Sequence, residues 1–270
     1  TFLTSVSSYE GGCGFEVNLF FNTIMNAARG LASTVIFTIN QLVSSFVMAA
    51  EPQLVKLYGA GEKEKFHRLI FNVSKYTLFL LAVFITPVLL EIDFVLALWL
   101  TEVPDYTSSF IRISLIVSFI SYSNKFVDQG VVAIGRVKEL NLFVAPLYLL
   151  TLPLAYFFLK MGFGPITVYW VSAVPLIIAM GLNLYIIHKY YDFPAMRYIV
   201  MVFLKNLMLI FLATIIPWLV QQQMQIGWLR FLVVCSLSVI CTLTILYSIG
   251  LDDETRVIVK RQLTKLSLLK

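Results

Sequence analysis

The stretch LIFNVSKYTLFLLAVFITPVLL, from Leu69 to Leu90, decides the fold of this chain. Its only charged side chain is that of Lys75, and its apolar residues fall on every face of a helix. The hydrocarbon core of a bilayer is about 30 Å thick, and a helix crosses it with about 20 predominantly apolar residues. This stretch therefore predicts a transmembrane helix.

Stretches of the same kind recur along the chain, separated by short charged breaks. Hydrophobic residues make up 59% of the sequence and charged residues only 13%, whereas a typical soluble domain is about 25% charged. We therefore predict an all-α, polytopic membrane helix bundle with about seven full transmembrane helices. The predicted spans are 23–50, 69–90, 107–134, 139–159, 165–187, 197–219 and 228–249.

Residues 1–20 are predicted to form a partial helix, because this block is weakly apolar and rich in glycine. It lacks the basic start and the clean apolar core of a signal peptide. We interpret it as the end of a helix that begins in a longer protein. The dipeptide Glu51-Pro52 is expected to close the first full span.

The connecting segments, taken together with the adjoining ends of the spans, divide sharply by charge. One side carries most of the lysines and arginines, namely Lys56, Lys63, Lys65, Arg68, Lys75, Arg136, Lys138, Lys189, Arg197 and the basic residues of 251–270. The other side carries Lys160 and Arg230 with the acidic residues Glu91, Asp93, Glu102 and Asp105. Because basic loops of membrane proteins face the cytoplasm, we expect a cytoplasmic C-terminus with an amphipathic tail at 251–270.

Motifs of enzyme chemistry are missing from the sequence. The two histidines, His67 and His188, stand alone, and Cys13, Cys235 and Cys241 form no CxxC pair. There is no P-loop, GxSxG or HExxH motif. The net charge of +5 is spread over loops without the basic stripe of a nucleic-acid-binding protein. We therefore predict a protein that is not an enzyme, with no metal, cofactor or nucleic acid.

Four of the ionisable side chains at predicted membrane depth are candidates for function, because such groups are costly there. Arg29 and Lys205 are cationic, and cations outnumber carboxylates at predicted membrane depth. This excess of positive charge suits an anionic cargo such as a pyrophosphate head group. Lys125 and Asp128 lie three residues apart on one helical face, which predicts an intramembrane charge pair.

Neutral amides in the first span are candidates for the lining of a binding cavity. Asn26, Asn40 and Gln41 would offer the hydrogen bonds that sugars need. The alternative is that they join neighbouring helices, which polar side chains also do in membranes.

Several motifs resemble the second half of bacterial O-antigen and capsular polysaccharide flippases. These proteins belong to the MATE-like superfamily of multidrug, oligosaccharidyl-lipid and polysaccharide exporters. The likeness covers nearly the whole chain, in the runs Val17–Asn22, Asn26–Gly30, Pro52–Lys56, Tyr58–Glu62, Leu98–Leu100, Val103–Tyr106 and Ile134–Lys138.

The resemblance implies two six-helix lobes around a central cavity, with two extra helices at the C-terminus. Residues 1–187 would form an N-terminally truncated second lobe, 188–250 the extra transmembrane pair and 251–270 the cytoplasmic tail. The implied function is translocation of undecaprenyl-pyrophosphate-linked oligosaccharide across the bacterial inner membrane by alternating access. The implied partners are this lipid-linked oligosaccharide, membrane lipids, a first lobe and polysaccharide assembly proteins, with coupling to H⁺ or Na⁺ left open.

Three other functions compete with this interpretation. A cation or drug antiporter of the same fold would need an intramembrane carboxylate, which a first lobe could also supply. A membrane glycosyltransferase or polymerase would need a long outer loop, and the predicted outer loops are short. A non-transporting scaffold for polysaccharide assembly would need no cavity at all.

Overall fold

A computed structural model describes residues 23–250, and every regular element in that part of the chain is helical. The predicted partial helix at 1–20 and the predicted tail at 251–270 lie outside the described residues. The seven helices are α1 (Thr23–Gly59), α2 (Lys63–Trp99), α3 (Thr107–Ala133), α4 (Val137–Lys160), α5 (Thr167–Tyr191), α6 (Ala195–Gln223) and α7 (Trp228–Gly250).

The seven helices are all long and apolar enough to cross a membrane. The prediction of an all-α, polytopic membrane helix bundle is therefore confirmed. Short connections make successive helices antiparallel, so that α1, α3, α5 and α7 run in one direction. We call the end of the bundle that holds the connections at 60–62, 134–136 and 192–194 the basic end, because most lysines and arginines gather there.

The first two helices are longer than predicted. Helix α1 continues through Glu51-Pro52 to Gly59, so the expectation that this dipeptide ends the first span is wrong. Proline removes one backbone hydrogen bond, and Pro52 is exposed, where solvent or a lipid head group can satisfy the freed carbonyl. Helix α2 has 37 residues and is therefore about 55 Å long, so its ends extend beyond a 30 Å hydrocarbon core.

Helix α3 lies at the centre of the bundle and packs against α1, α2 and α5. Its contact with α2 and α5 depends on Gly130. A methyl group on this glycine would lie 2.8 Å from Cδ1 of Ile70 and 2.9 Å from Cδ1 of Ile187. The missing side chain thus lets three helices approach one another closely.

Helices α6 and α7 pack against each other and against α2. A buried ion pair fixes this arrangement, because Arg230 Nη2 of α7 lies 3.0 Å from Glu91 Oε2 of α2. Gln221 Nε2 of α6 donates to the same carboxylate at 3.2 Å and to the carbonyl of Leu90 at 2.5 Å. Glu91, which follows the predicted span 69–90, is therefore a helical residue, and its contacts with Arg230 and Gln221 join three helices.

Three helices contain a wider π-helical turn: Leu140–Val144 in α4, Ile199–Leu204 in α6 and Leu246–Gly250 in α7. Each such turn changes which residues share a face of the helix. In α4 the turn comes just before Pro146, which cannot donate a backbone hydrogen bond. In α6 the turn comes just before Lys205 and influences where that side chain lies.

Candidate functional site

A polar cavity of about 620 Å³ lies among α1, α3, α4 and α5. Its volume falls in the range of about 300–1,000 Å³ that is usual for small-molecule sites. All four helices are long and apolar enough to span a membrane, so the cavity lies among membrane-spanning segments.

Helix α3 supplies the longest polar wall of the cavity. Ser114, Ser118, Ser121, Lys125 and Asp128 all line it and recur at intervals of four, three, four and three residues. This spacing follows the helical repeat and keeps the side chains on one face. From Ser114 to Asp128 the polar wall extends about 21 Å along the helix axis.

Helix α1 forms the facing wall with Arg29, Ser33, Phe37 and Asn40, among others. Asn40 is tied to α3 twice, although its hydrogen bond to the Ser118 hydroxyl is long. Its Nδ2 donates to Ser118 Oγ at 3.4 Å, and its backbone carbonyl accepts from the Tyr122 hydroxyl at 2.8 Å. These contacts hold the two walls in register across the cavity.

Among the described residues that line the cavity, one is a carboxylate, Asp128, which is only 7% exposed. Asn183 Nδ2 of α5 donates to Asp128 Oδ1 and to Asn124 Oδ1, each at 3.3 Å. Among residues 23–250, no ion pair joins Asp128 to Lys125. The two residues predicted as a charge pair therefore share the cavity wall without a direct contact, and an amide from α5 is the closest partner of the carboxylate.

Two buried amide oxygens near the cavity lack a hydrogen-bond partner within the described part of the chain. They are Oδ1 of Asn40, a lining residue, and Oδ1 of Asn183. An unsatisfied buried acceptor costs about 1–3 kcal/mol. A hydroxyl group or a water molecule that entered the cavity would find acceptors available to it.

The predicted site residues do not all meet in this cavity. Arg29, Asn40, Lys125 and Asp128 line it. Arg29 lies on α1 toward the end opposite the basic end, whereas Lys125 and Asp128 lie close to the basic end of α3. The cavity thus carries charge at both ends of its length.

Three other predicted residues lie elsewhere. Asn26 is half-buried one turn before Arg29 and is not a lining residue. Gln41 is exposed on another face of α1, and its backbone carbonyl accepts the hydroxyls of Ser44 and Ser45. Lys205 lies on α6 and lines a second cavity at the basic end.

The serines of the α3 wall were not singled out from the sequence. A signal for them was present, because five polar residues between 114 and 128 recur with the spacing of a helix face. The partner amide of Asn183 had no such signal, since its approach to Asp128 depends on how α5 packs against α3.

Within residues 25–250, no three His, Cys, Asp or Glu side chains gather closely enough to hold a metal ion. The polar groups that the described part of the chain contributes to the cavity are hydroxyls, amides, two cations and one carboxylate. Such a set can bind a polar ligand that carries negative charge, through charge-assisted hydrogen bonds.

Comparisons of this chain with models of protein families, with curated proteins and with solved structures find no match. The chain is a multi-pass α-helical membrane protein in which four helices line a half-open cavity whose polar residues include cationic groups and a carboxylate.

Proposed function

We propose that this chain is part of a flippase that translocates undecaprenyl-pyrophosphate-linked oligosaccharide across the bacterial inner membrane. The observation that carries the proposal is the polar cavity among membrane-spanning helices. Charged and hydroxyl side chains are expensive at membrane depth and generally mark the path of a substrate or an ion. A bundle with a purely structural role would gain nothing from a polar cavity of about 620 Å³.

The chemistry of the lining suits both parts of such a cargo. Arg29 and Lys125 are cations, and a guanidinium group can bind a phosphate with two parallel hydrogen bonds. The serine hydroxyls of α3 and the amide of Asn40 match the hydroxyl groups of sugars. The motifs that resemble polysaccharide flippases point to the same class of cargo.

In this proposal the chain provides the second lobe of a transporter, and a first lobe provides the facing wall. The two lobes would rock about the cavity and open it alternately to the two sides of the membrane. The basic end would face the cytoplasm, where the lipid-linked oligosaccharide is loaded. Polysaccharide assembly proteins would receive the cargo on the other side, with coupling to H⁺ or Na⁺ left open.

The test is restoration of surface polysaccharide in a flippase-deficient bacterium that expresses this chain within its complete gene product. Replacing Arg29→Gln should lower the polysaccharide roughly tenfold or more, because a charge-assisted hydrogen bond contributes about 1.5–3 kcal/mol. The matched control is Lys160→Gln, which removes an exposed cation at the end of α4 outside the cavity. Full restoration by a normally expressed Arg29→Gln variant would contradict the proposal.

A cation or drug antiporter is the second candidate, and Asp128 favours it. A buried carboxylate whose contact in the cavity wall is an amide could bind a cationic cargo or a coupling ion. Export of a cationic dye that is lost in Asp128→Asn, with no restoration of polysaccharide, would establish this function instead. If neither activity is found, a scaffold role in polysaccharide assembly becomes the better explanation.

A further inference from the structure

A second cavity, of about 490 Å³, lies at the basic end between the first turns of α2 and α6. It does not share a lining residue with the polar cavity. Its lining residues are Glu64, His67, Arg68, Phe71, Asn72, Lys75, Pro194, Arg197, Met201, Val202 and Lys205. We call it the basic cavity.

The basic cavity has a large excess of positive charge. Among the described lining residues, four side chains are cationic, namely Arg68, Lys75, Arg197 and Lys205, and one, Glu64, is a carboxylate. Within residues 23–250, Arg68, Arg197 and Lys205 form no ion pair. Like charges that converge near a low-dielectric region repel one another, so an anion bound among them would be strongly stabilised.

Helical geometry brings these cations to one face of each helix. On α2, Arg68 and Lys75 are seven residues apart, which is close to two turns. On α6, Arg197 and Lys205 are eight residues apart with Met201 between them. An α-helix has 3.6 residues per turn, so side chains four residues apart are rotated relative to one another about the helix axis. The wider π turn at Ile199–Leu204 offsets part of this rotation. The π turn therefore helps keep Lys205 in the cavity.

Contacts between the helix ends hold the cavity walls in place. Lys63 at the start of α2 forms an ion pair with Asp192, between α5 and α6, and this hydrogen bond lowers the pKa of the Asp192 carboxyl. The ring of His67 contacts the carbonyl of Tyr191 through Nε2 at 3.0 Å. These two contacts hold the start of α2 against the connection between α5 and α6, and so fix the relative positions of the helices that carry the cations.

The shape of the site matches a lipid better than a free ion. Arg197 and Lys205 are separated by about 12 Å along α6, so the cationic groups extend from the edge of the bundle toward its middle. Met201, which lies between them, is 49% exposed. Met208, one turn beyond Lys205, is 64% exposed and continues the same side of the helix as an apolar surface. A lipid would fit both the cationic and the apolar part of this site, with its phosphate near the arginines and an acyl chain along the methionines.

We propose that the basic cavity binds the phosphate head group of an acidic phospholipid, with the acyl chains along the exposed side of α6. Arginine favours phosphate because its planar group can donate two parallel hydrogen bonds. Basic pockets between transmembrane helices are suited to acidic head groups. This site goes beyond the proposed transport function, and it gives Lys205 a ligand other than the cargo.

The experiment measures the lipid retained by the purified chain. The protein is equilibrated in detergent micelles that contain equal parts of phosphatidylglycerol and phosphatidylcholine, and the bound lipids are identified by native mass spectrometry. The wild-type chain should retain phosphatidylglycerol selectively. Lys205→Gln and Arg68→Gln should each lower that retention several-fold, whereas Lys205→Arg, which keeps the charge, should preserve most of it.

The matched control is Lys138→Gln, which removes an exposed cation at the same end of the bundle but outside the cavity. Equal retention by the wild type and Lys205→Gln, or an equal loss in Lys138→Gln, would overturn the proposal. A parallel titration with inorganic phosphate follows the thermal unfolding of lipid-free protein. If inorganic phosphate stabilises the chain as well as phosphatidylglycerol does, the ligand is a free anion and the assignment to a lipid is wrong.

Circular dichroism spectra separate a loss of binding from a loss of fold. Each variant should keep the helical spectrum of the wild type. Phosphatidylglycerol retention that falls only in variants with a reduced helical signal would count against the site.

Discussion

At the scale of single residues, Gly130 shows how much of the packing depends on the lack of a side chain. A methyl group here would lie within 3 Å of the ends of Ile70 and Ile187. Both contacts are with flexible side-chain ends, so an alanine can be accommodated by small shifts. A branched side chain would extend further and would force α2 or α5 away from α3.

We therefore expect Gly130→Val to destabilise the chain by about 1–3 kcal/mol, in the range typical of overpacking. Gly130→Ala should cost less. The matched control is Gly181→Ala in α5, where no atom lies within 4 Å of the added methyl group and where alanine favours the helix by up to about 1 kcal/mol. Thermal unfolding in detergent gives the relative stabilities of the three variants. A Gly130→Val variant as stable as the wild type would show that the helices separate easily.

The site residues illustrate which single positions the sequence could reveal. The sequence predicts Arg29, Asn40, Lys125 and Asp128 as candidates because charged or amide groups are unusual in apolar stretches, and all four line one cavity. Lys205 was found by the same signal but lies in the other cavity. The signal identifies a polar group in a membrane span, whereas the cavity that it joins depends on which helices become neighbours.

At the scale of helices, the buried contact between Glu91 and Arg230 decides how α7 is attached. Glu91 is only 1% exposed, and Arg230 is its ionic partner at 3.0 Å. The sequence places Glu91 just after the predicted span 69–90, because the apolar stretch of α2 stops at Leu90, and Arg230 at the edge of the predicted span 228–249. The helix in fact continues to Trp99, since a carboxylate that meets a cation on a neighbouring helix can stay buried.

Removing one partner of this pair should be far more damaging than removing both. Arg230→Met leaves a buried carboxylate without its cation, which typically costs about 3–5 kcal/mol. The double variant Glu91→Leu and Arg230→Met should recover most of that loss, because apolar replacements of a buried pair are often neutral. Thermal unfolding of the single and double variants gives the coupling between the two residues.

A matched control comes from the second ion pair at the same end of the bundle. Arg112 Nη2 lies 2.6 Å from Asp93 Oδ2, but both side chains are substantially exposed. Asp93→Asn should therefore cost only about 0–1 kcal/mol. Equal losses in Asp93→Asn and Arg230→Met would mean that burial does not set the strength of the contact between α2 and α7.

At the scale of the whole molecule, the number and order of the membrane-spanning helices could be predicted, since length and apolarity determine them locally. The ends of these helices could not be predicted from the sequence, since α1 continues past Pro52, where the first span was expected to end. The cavities also could not, because they arise from the packing of distant segments. The wide turn in α6, which helps place Lys205, is a further feature that residue patterns did not indicate.

The orientation of the bundle is the whole-molecule property that charge predicts most directly. Positively charged loops stay in the cytoplasm during insertion, so the basic end should face inward. Single cysteines placed at Lys138 and at Glu102, in a chain whose native cysteines are replaced by serine, report on the two ends. In intact cells, a membrane-impermeant thiol reagent should label Glu102→Cys and spare Lys138→Cys.

Permeabilised cells provide the control, because both cysteines should then react and both residues are exposed. Labelling of Lys138→Cys alone in intact cells would show that the basic end faces outward, opposite to the predicted orientation. The basic cavity would then open toward the outer leaflet, and Arg29, rather than Lys125 and Asp128, would lie nearer the cytoplasm. The same labelling pattern therefore decides which end of the polar cavity a cytoplasmic cargo would meet first.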